Sequence, residues 1–184
     1  MSRRFSRLRA QRQAREGAAA VEFGIVALPF FFMMFAIFEI GMVFVTSSLV
    51  ENAMIETGRL VRTGQASSRN FDAAAFKREM CSRMSIFSGD CGSRAQIDVR
   101  EVPRFGNPTL PDPMANGTFD TSQLTYANGQ PGSLMVVRAW YQQPLVTPFL
   151  SQGLSRLNNG KAMLTATTAF RNEPWGWGSG TGGS

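Results

Sequence analysis

Histidine is missing from the chain, and cysteine and tyrosine occur only twice each. Without an imidazole, which titrates near neutral pH, general acid/base work would fall to carboxylates, lysine or tyrosine. Two thiols with no histidine cannot supply the four ligands of an ordinary closed zinc site, so no metal or other cofactor is expected. The acids outside the apolar amino-terminal region (Glu51, Glu56, Asp72, Glu79, Asp90, Asp98, Glu101, Asp112, Asp120 and Glu173) show no catalytic spacing, and each reads as solvated surface. An enzyme is therefore not expected.

Acidic charge is also scarce where basic charge is dense. Six arginines (Arg3, Arg4, Arg7, Arg9, Arg12 and Arg15) precede Gly17, with Glu16 the only acid among them, and they account for most of the net charge of +6. A nucleic-acid binder spreads its cations over the face that meets phosphates. Here the basic block abuts an apolar run, the pattern that holds an amino end on the cytoplasmic side of a membrane. The expected surroundings are membrane lipid, with no nucleic acid.

From Ala18 to Val45 the chain is apolar except for Glu22 and Glu39. As a helix this stretch is about 40 Å long, enough to span. A secretory signal places its small residues after the apolar core, whereas Gly17 to Ala20 come before it. Pro29 lies inside the expected helix and removes one backbone hydrogen bond. Leu49, Val50, Ala53, Met54, Ile55, Leu60 and Val61 extend an apolar stripe beyond the membrane, and Gly64 reads as the stop.

FDAAAFKREMCSRM predicts a short second helix capped near Ser68 or Asn70. AQIDVREV, LMVVRAWYQ and KAMLTATTAFRN predict three antiparallel strands with one face on the long helix. Between the first two strands, Pro103 to Ser133 reads as a long loop or a weakly marked hairpin turning at Asn128 and Gly129. The expected fold is α+β: a long amino-terminal transmembrane helix continuing into a small periplasmic domain with a short helix and a three- to four-stranded antiparallel sheet. Its expected segments are a basic leader (1–17), the membrane helix (18–45), its extramembrane continuation (46–64), the α+β domain (65–175) and a flexible tail (176–184). Cys81 and Cys91 follow the apolar run, on the oxidising side if that side is a bacterial periplasm. This topology favours a disulfide over two separate buried thiols.

The residues EGAAAVEFGIVALPFFFMMFAIFEIGMVF, the following NAMIETGRLVRTGQA and the late TATTAFRNEPW together resemble one family. It is that of the TadE-like pseudopilins, minor pilins of the tight-adherence (Flp) pilus system related to type IVb pilins. The resemblance implies that a prepilin-type peptidase cuts after Gly17 and leaves Ala18 as the mature amino end. Glu22 then occupies the fifth mature position, where pilin-like proteins carry a glutamate, and Phe23 stands where Flp relatives often have tyrosine. The implied partners are that peptidase, other pilins and pseudopilins, and the inner-membrane assembly platform; the implied processes are pilus assembly, adhesion and biofilm formation. A new α-amino group, largely cationic at neutral pH, would pair with Glu22 of a neighbouring subunit and offset the burial cost of both charges. The rival readings are an uncleaved membrane-anchored scaffold or secretion accessory, and a ligand-binding or enzymatic module on an ordinary anchor.

Overall fold

One helix, α1, runs over Ser2–Arg62. It begins well before the expected start at Ala18, because the leader is built from arginine, alanine, glutamine and leucine, which favour helix, and contains no proline. The computed structural model describes residues 2–175 except 107, 109, 116 and 156, with side chains from residue 17 onward apart from 115, 148 and 149. The linker-like tail 176–184 lies outside the described residues. The chain divides into two compact units, Met1–Gly41 and Met42–Ser184. The first is a stretch of α1 alone.

In the second unit α1 buries Thr46, Val50, Ala53, Met54, Thr57 and Val61, steps of three and four that form one helical face. Two of these positions are threonines, which the apolar pattern passes over. Their hydroxyls donate to carbonyls one turn back, Thr46 to Met42 at 2.8 Å and Thr57 to Ala53 at 2.7 Å, so neither is buried unpaired. Ile55, expected in the stripe, is 47% exposed because the 3.6-residue period turns it off that face. Gly64 ends the helix with φ +76°, a left-handed conformation suited to glycine. A Cβ there would also come within 2.5 Å of the Trp175 indole.

A one-turn helix α2 (Gln65–Ser68) leads to α3 (Ala73–Ser82). The cap of α3 is Asp72, displaced from the expected Ser68 or Asn70; its carboxylate accepts from the Ala75 amide at 2.6 Å. A 3-10 turn at Ser85–Phe87 and helix α4 (Ser88–Arg94) complete the helical layer. Cys81 on α3 and Cys91 on α4 form a disulfide, with Cα atoms 5.4 Å apart. It closes a short loop and contributes about 2.5 to 3 kcal/mol in the chain-entropy model. Replacing both cysteines by serine should lower the unfolding free energy of the full chain by that amount, read from the denaturant midpoint in detergent. An unchanged midpoint would show that the loop stays ordered without the bridge.

The three expected strands all form. β1 (Ala95–Val102) is followed by a two-stranded hairpin, β2 (Met114–Ala115) with β3 (Thr118–Phe119), and then by β4 (Leu134–Pro144). A helix α5 (Pro148–Leu154) precedes β5 (Lys161–Arg171). The main sheet is antiparallel in the order β1-β4-β5, with Val99 opposite Val137 and Val137 opposite Thr168. One face, through Ala95, Ile97, Val99, Met135, Val137, Ala139, Tyr141 and Ala166, packs with α1, α3 and the disulfide in a single core. Hydrogen bonds from the Val99 amide to the Thr125 carbonyl and from the Ala127 amide to the Val99 carbonyl lay the loop along the outer edge of β1. That edge is thereby covered.

Candidate functional site

Gly17, Ala18, Glu22 and Phe23 all lie on the exposed surface of α1 in the first unit. Apolar side chains surround them: Val21 is 63% exposed, Phe23 71%, Ile25 68% and Leu28 75%. The helix from Gly17 is long and apolar enough to cross a membrane, and none of its most apolar window is buried within the chain. Such a surface is stable only in lipid or against other apolar helices. Glu22 is thus an exposed carboxylate within an apolar belt, while Glu39 is half-buried.

No described residue packs closely on the glycines of this belt. A Cβ built at Gly17, Gly24 or Gly41 meets nothing within 4 Å, and none of the three has a positive φ. Each glycine costs a helix about 1 kcal/mol relative to alanine. Neither local packing nor backbone geometry requires it.

Residues 17–59 match the family model described as TadE-like protein. That segment is similar to the TadE-like family. The chain matches none of the curated proteins and none of the solved structures with which it was compared. The TadE-like segment begins at the expected cleavage residue and ends within the part of α1 that packs on the sheet.

Beyond the TadE-like segment, the structure corrects the reading of Asp98 as solvated surface. Its side chain is fully buried, on the face of β1 opposite the core. Arg100 donates to it through Nε at 2.8 Å and Nη2 at 2.6 Å, and Arg138, directly across the sheet, through Nη2 at 2.7 Å and Nε at 3.1 Å. The Thr125 amide adds a bond at 2.9 Å. Burial pushes the Asp98 carboxyl upward, but the bonds from Arg100, Thr125 and Arg138 outweigh it and hold the group below the usual carboxylate range.

The same cations fix the loop. Arg138 donates to the Pro111 carbonyl at 2.8 Å and lies 4.8 Å from the Trp140 ring centre, and Trp140 meets Phe119 of β3 edge-on at 5.6 Å. Arg100 donates to the Gln123 carbonyl at 2.8 Å. The cluster is chemically saturated, so it fastens the loop to the sheet rather than presenting a reactive group. Its sequence signal was Arg138, a lone cation inside the apolar run LMVVRAWYQ, which needs an acid opposite.

Proposed function

We propose that the chain is a minor pilin or pseudopilin of a tight-adherence pilus system, matured by a prepilin-type peptidase that cuts after Gly17. The observation that supports this reading is the TadE-like match over residues 17–59, together with the exposed apolar stretch of α1 that follows Gly17 and carries Glu22 near its start. In this reading residues 1–17 are a cytoplasmic leader, residues 18–45 span the inner membrane, and the α+β domain stands in the periplasm. Arginines in the leader favour that orientation.

Gly17 is explained by the peptidase. Among the described residues nothing sterically requires glycine there, while an active site that must admit the backbone closely does. Gly24 and Gly41 fit the same reading, since small residues let apolar helices approach closely in lipid. Neighbouring pilins and the assembly platform are the partners that would use such a surface.

The test is the amino-terminal residue after coexpression with a prepilin-type peptidase. The expected mature chain begins at Ala18, by intact mass and end-group sequencing. Gly17→Val should abolish that processing and leave the full-length chain in the membrane. Retention of Met1 to Gly17 in the parent would sink the pilin mechanism in favour of an uncleaved anchored scaffold.

A further inference from the structure

Helices α3 and α4, tied by Cys81–Cys91, border a groove of about 460 Å³ whose lining includes Ala74, Lys77, Arg78, Ser82, Ser88 and Gly92. That volume falls in the range of small-ligand sites. The basic residues of these helices divide into two kinds. Arg83 is paired with Glu79 and Arg94 with Asp90, while Lys77 and Arg78 have no carboxylate partner among the described residues. Both of the unpaired cations line the groove.

Lys77 is half-buried and also borders a second groove, lined on its far side by Gln96, Thr121, Leu124 and Tyr126. Among the described residues, no carboxylate lines either groove. Burial accordingly pushes the Lys77 ammonium below the ordinary lysine value. A partly desolvated cation without an ion-pair partner among the described residues is what an incoming anion relieves.

We propose that this groove binds a phosphate group, with Lys77 and Arg78 as its two cations and the Ser88 hydroxyl as a neutral donor. The Ser82 hydroxyl already donates to the Glu79 carbonyl at 2.7 Å. A phosphomonoester carries a charge of about −1.5 to −2 at neutral pH, which two cations match, whereas a carboxylate leaves one of them unpaired. The groove is larger than a phosphate group, so the organic body that carries the phosphate lies along Ala74 and Gly92. Gly89 and Gly92 leave that wall open: a Cβ at either meets nothing within 4 Å. This site is independent of the pilin reading, which uses only α1.

The phosphate could be borne by a soluble phosphomonoester or by a lipid headgroup, and amine footprinting separates the two. The chain has only two lysines, so Lys161, which donates to Gln142 at 3.5 Å, serves as an internal reference for Lys77. The full chain is held in phosphatidylcholine discs and acylated with and without glycerol phosphate, or in discs containing phosphatidic acid, and labelling is read by mass spectrometry. Several-fold slower acylation of Lys77 with Lys161 unchanged is expected in at least one arm; the soluble arm assigns a free phosphomonoester and the lipid arm a headgroup. Arg78→Gln should weaken the protection about tenfold, the effect of losing one charge-assisted hydrogen bond. Gly92→Leu, which adds bulk to the groove wall at a point where a Cβ meets nothing within 4 Å, should abolish it. Unchanged Lys77 labelling in both arms, equal protection by acetate, or protection that survives Gly92→Leu would overturn the proposal.

Discussion

Glu22→Gln and Glu22→Ala chains should insert, fold and be processed like the parent, yet be lost from the assembled pilus or its membrane complex. Insertion should not suffer, because an ionised side chain deep in a spanning helix costs about 2.5 to 3.5 kcal/mol on the translocon scale and both variants remove that cost. The expected loss is therefore specific to the assembled state. Cleavage after Gly17 would create a cation at Ala18, and a carboxylate at similar depth on a neighbouring helix would offset the desolvation of both charges. Within one helix, Ala18 and Glu22 are also four residues apart, and an intrahelical pair of this kind contributes only about 0.2 to 0.5 kcal/mol. A pair confined to one chain would leave assembly of the variants nearly normal. Copurification of tagged variants with the other pilins, and their yield in sheared pili, measures the difference. Normal incorporation of both variants would remove the cross-subunit role of Glu22, while leaving the cleavage site to be judged on its own.

The parts of the fold that were legible in the sequence are those whose pattern depends on local periodicity. β1 and β5 carry period-two alternation and formed at the expected residues, and Gly64 ended α1 because a left-handed stop needs little tertiary context. The disulfide was expected because both cysteines of the chain follow the apolar run, ten residues apart, and it is present. The hairpin β2–β3 and the helices α4 and α5 were not legible: they are short, rich in glycine, serine or proline, and held by contacts distant in the chain. Asp98 was misread for the same reason. Alternation along β1 puts it opposite the core, which usually means solvent, but here a loop returning from residues 111 to 127 covers that face. Gly17, Ala18, Glu22 and Phe23 sit on an exposed helix, so the roles expected of them depend on partners outside the chain rather than on its fold.

Asp98→Asn should destabilise the α+β domain by about 3 kcal/mol, because it leaves the buried Arg138 guanidinium facing a neutral amide. Arg100 is less affected, being nearer the surface with other access to water. Replacing the pair together, Asp98→Leu with Arg138→Met, should cost far less than Asp98→Asn, since an apolar substitute for a buried ion pair leaves no uncompensated charge. The pH dependence separates the ion pair from mere packing. Asp98 titrates lower in the folded chain than in the unfolded one, where the ordinary value is about 3.9. Below about pH 5 the unfolded state therefore takes up a proton that the folded state resists, so the contribution of Asp98 is full above that pH and is lost as pH falls through the folded value. Urea unfolding of the full chain in detergent, parent against Asp98→Asn, should show a stability gap that narrows from about pH 6 to about pH 3. Asp120, which the Ser122 amide and hydroxyl also hold low, is present in both proteins and cancels from the comparison. A gap constant over that range would mean that the substituted amide disrupts the loop by shape alone, and that the charge of Asp98 does not hold the loop to the sheet.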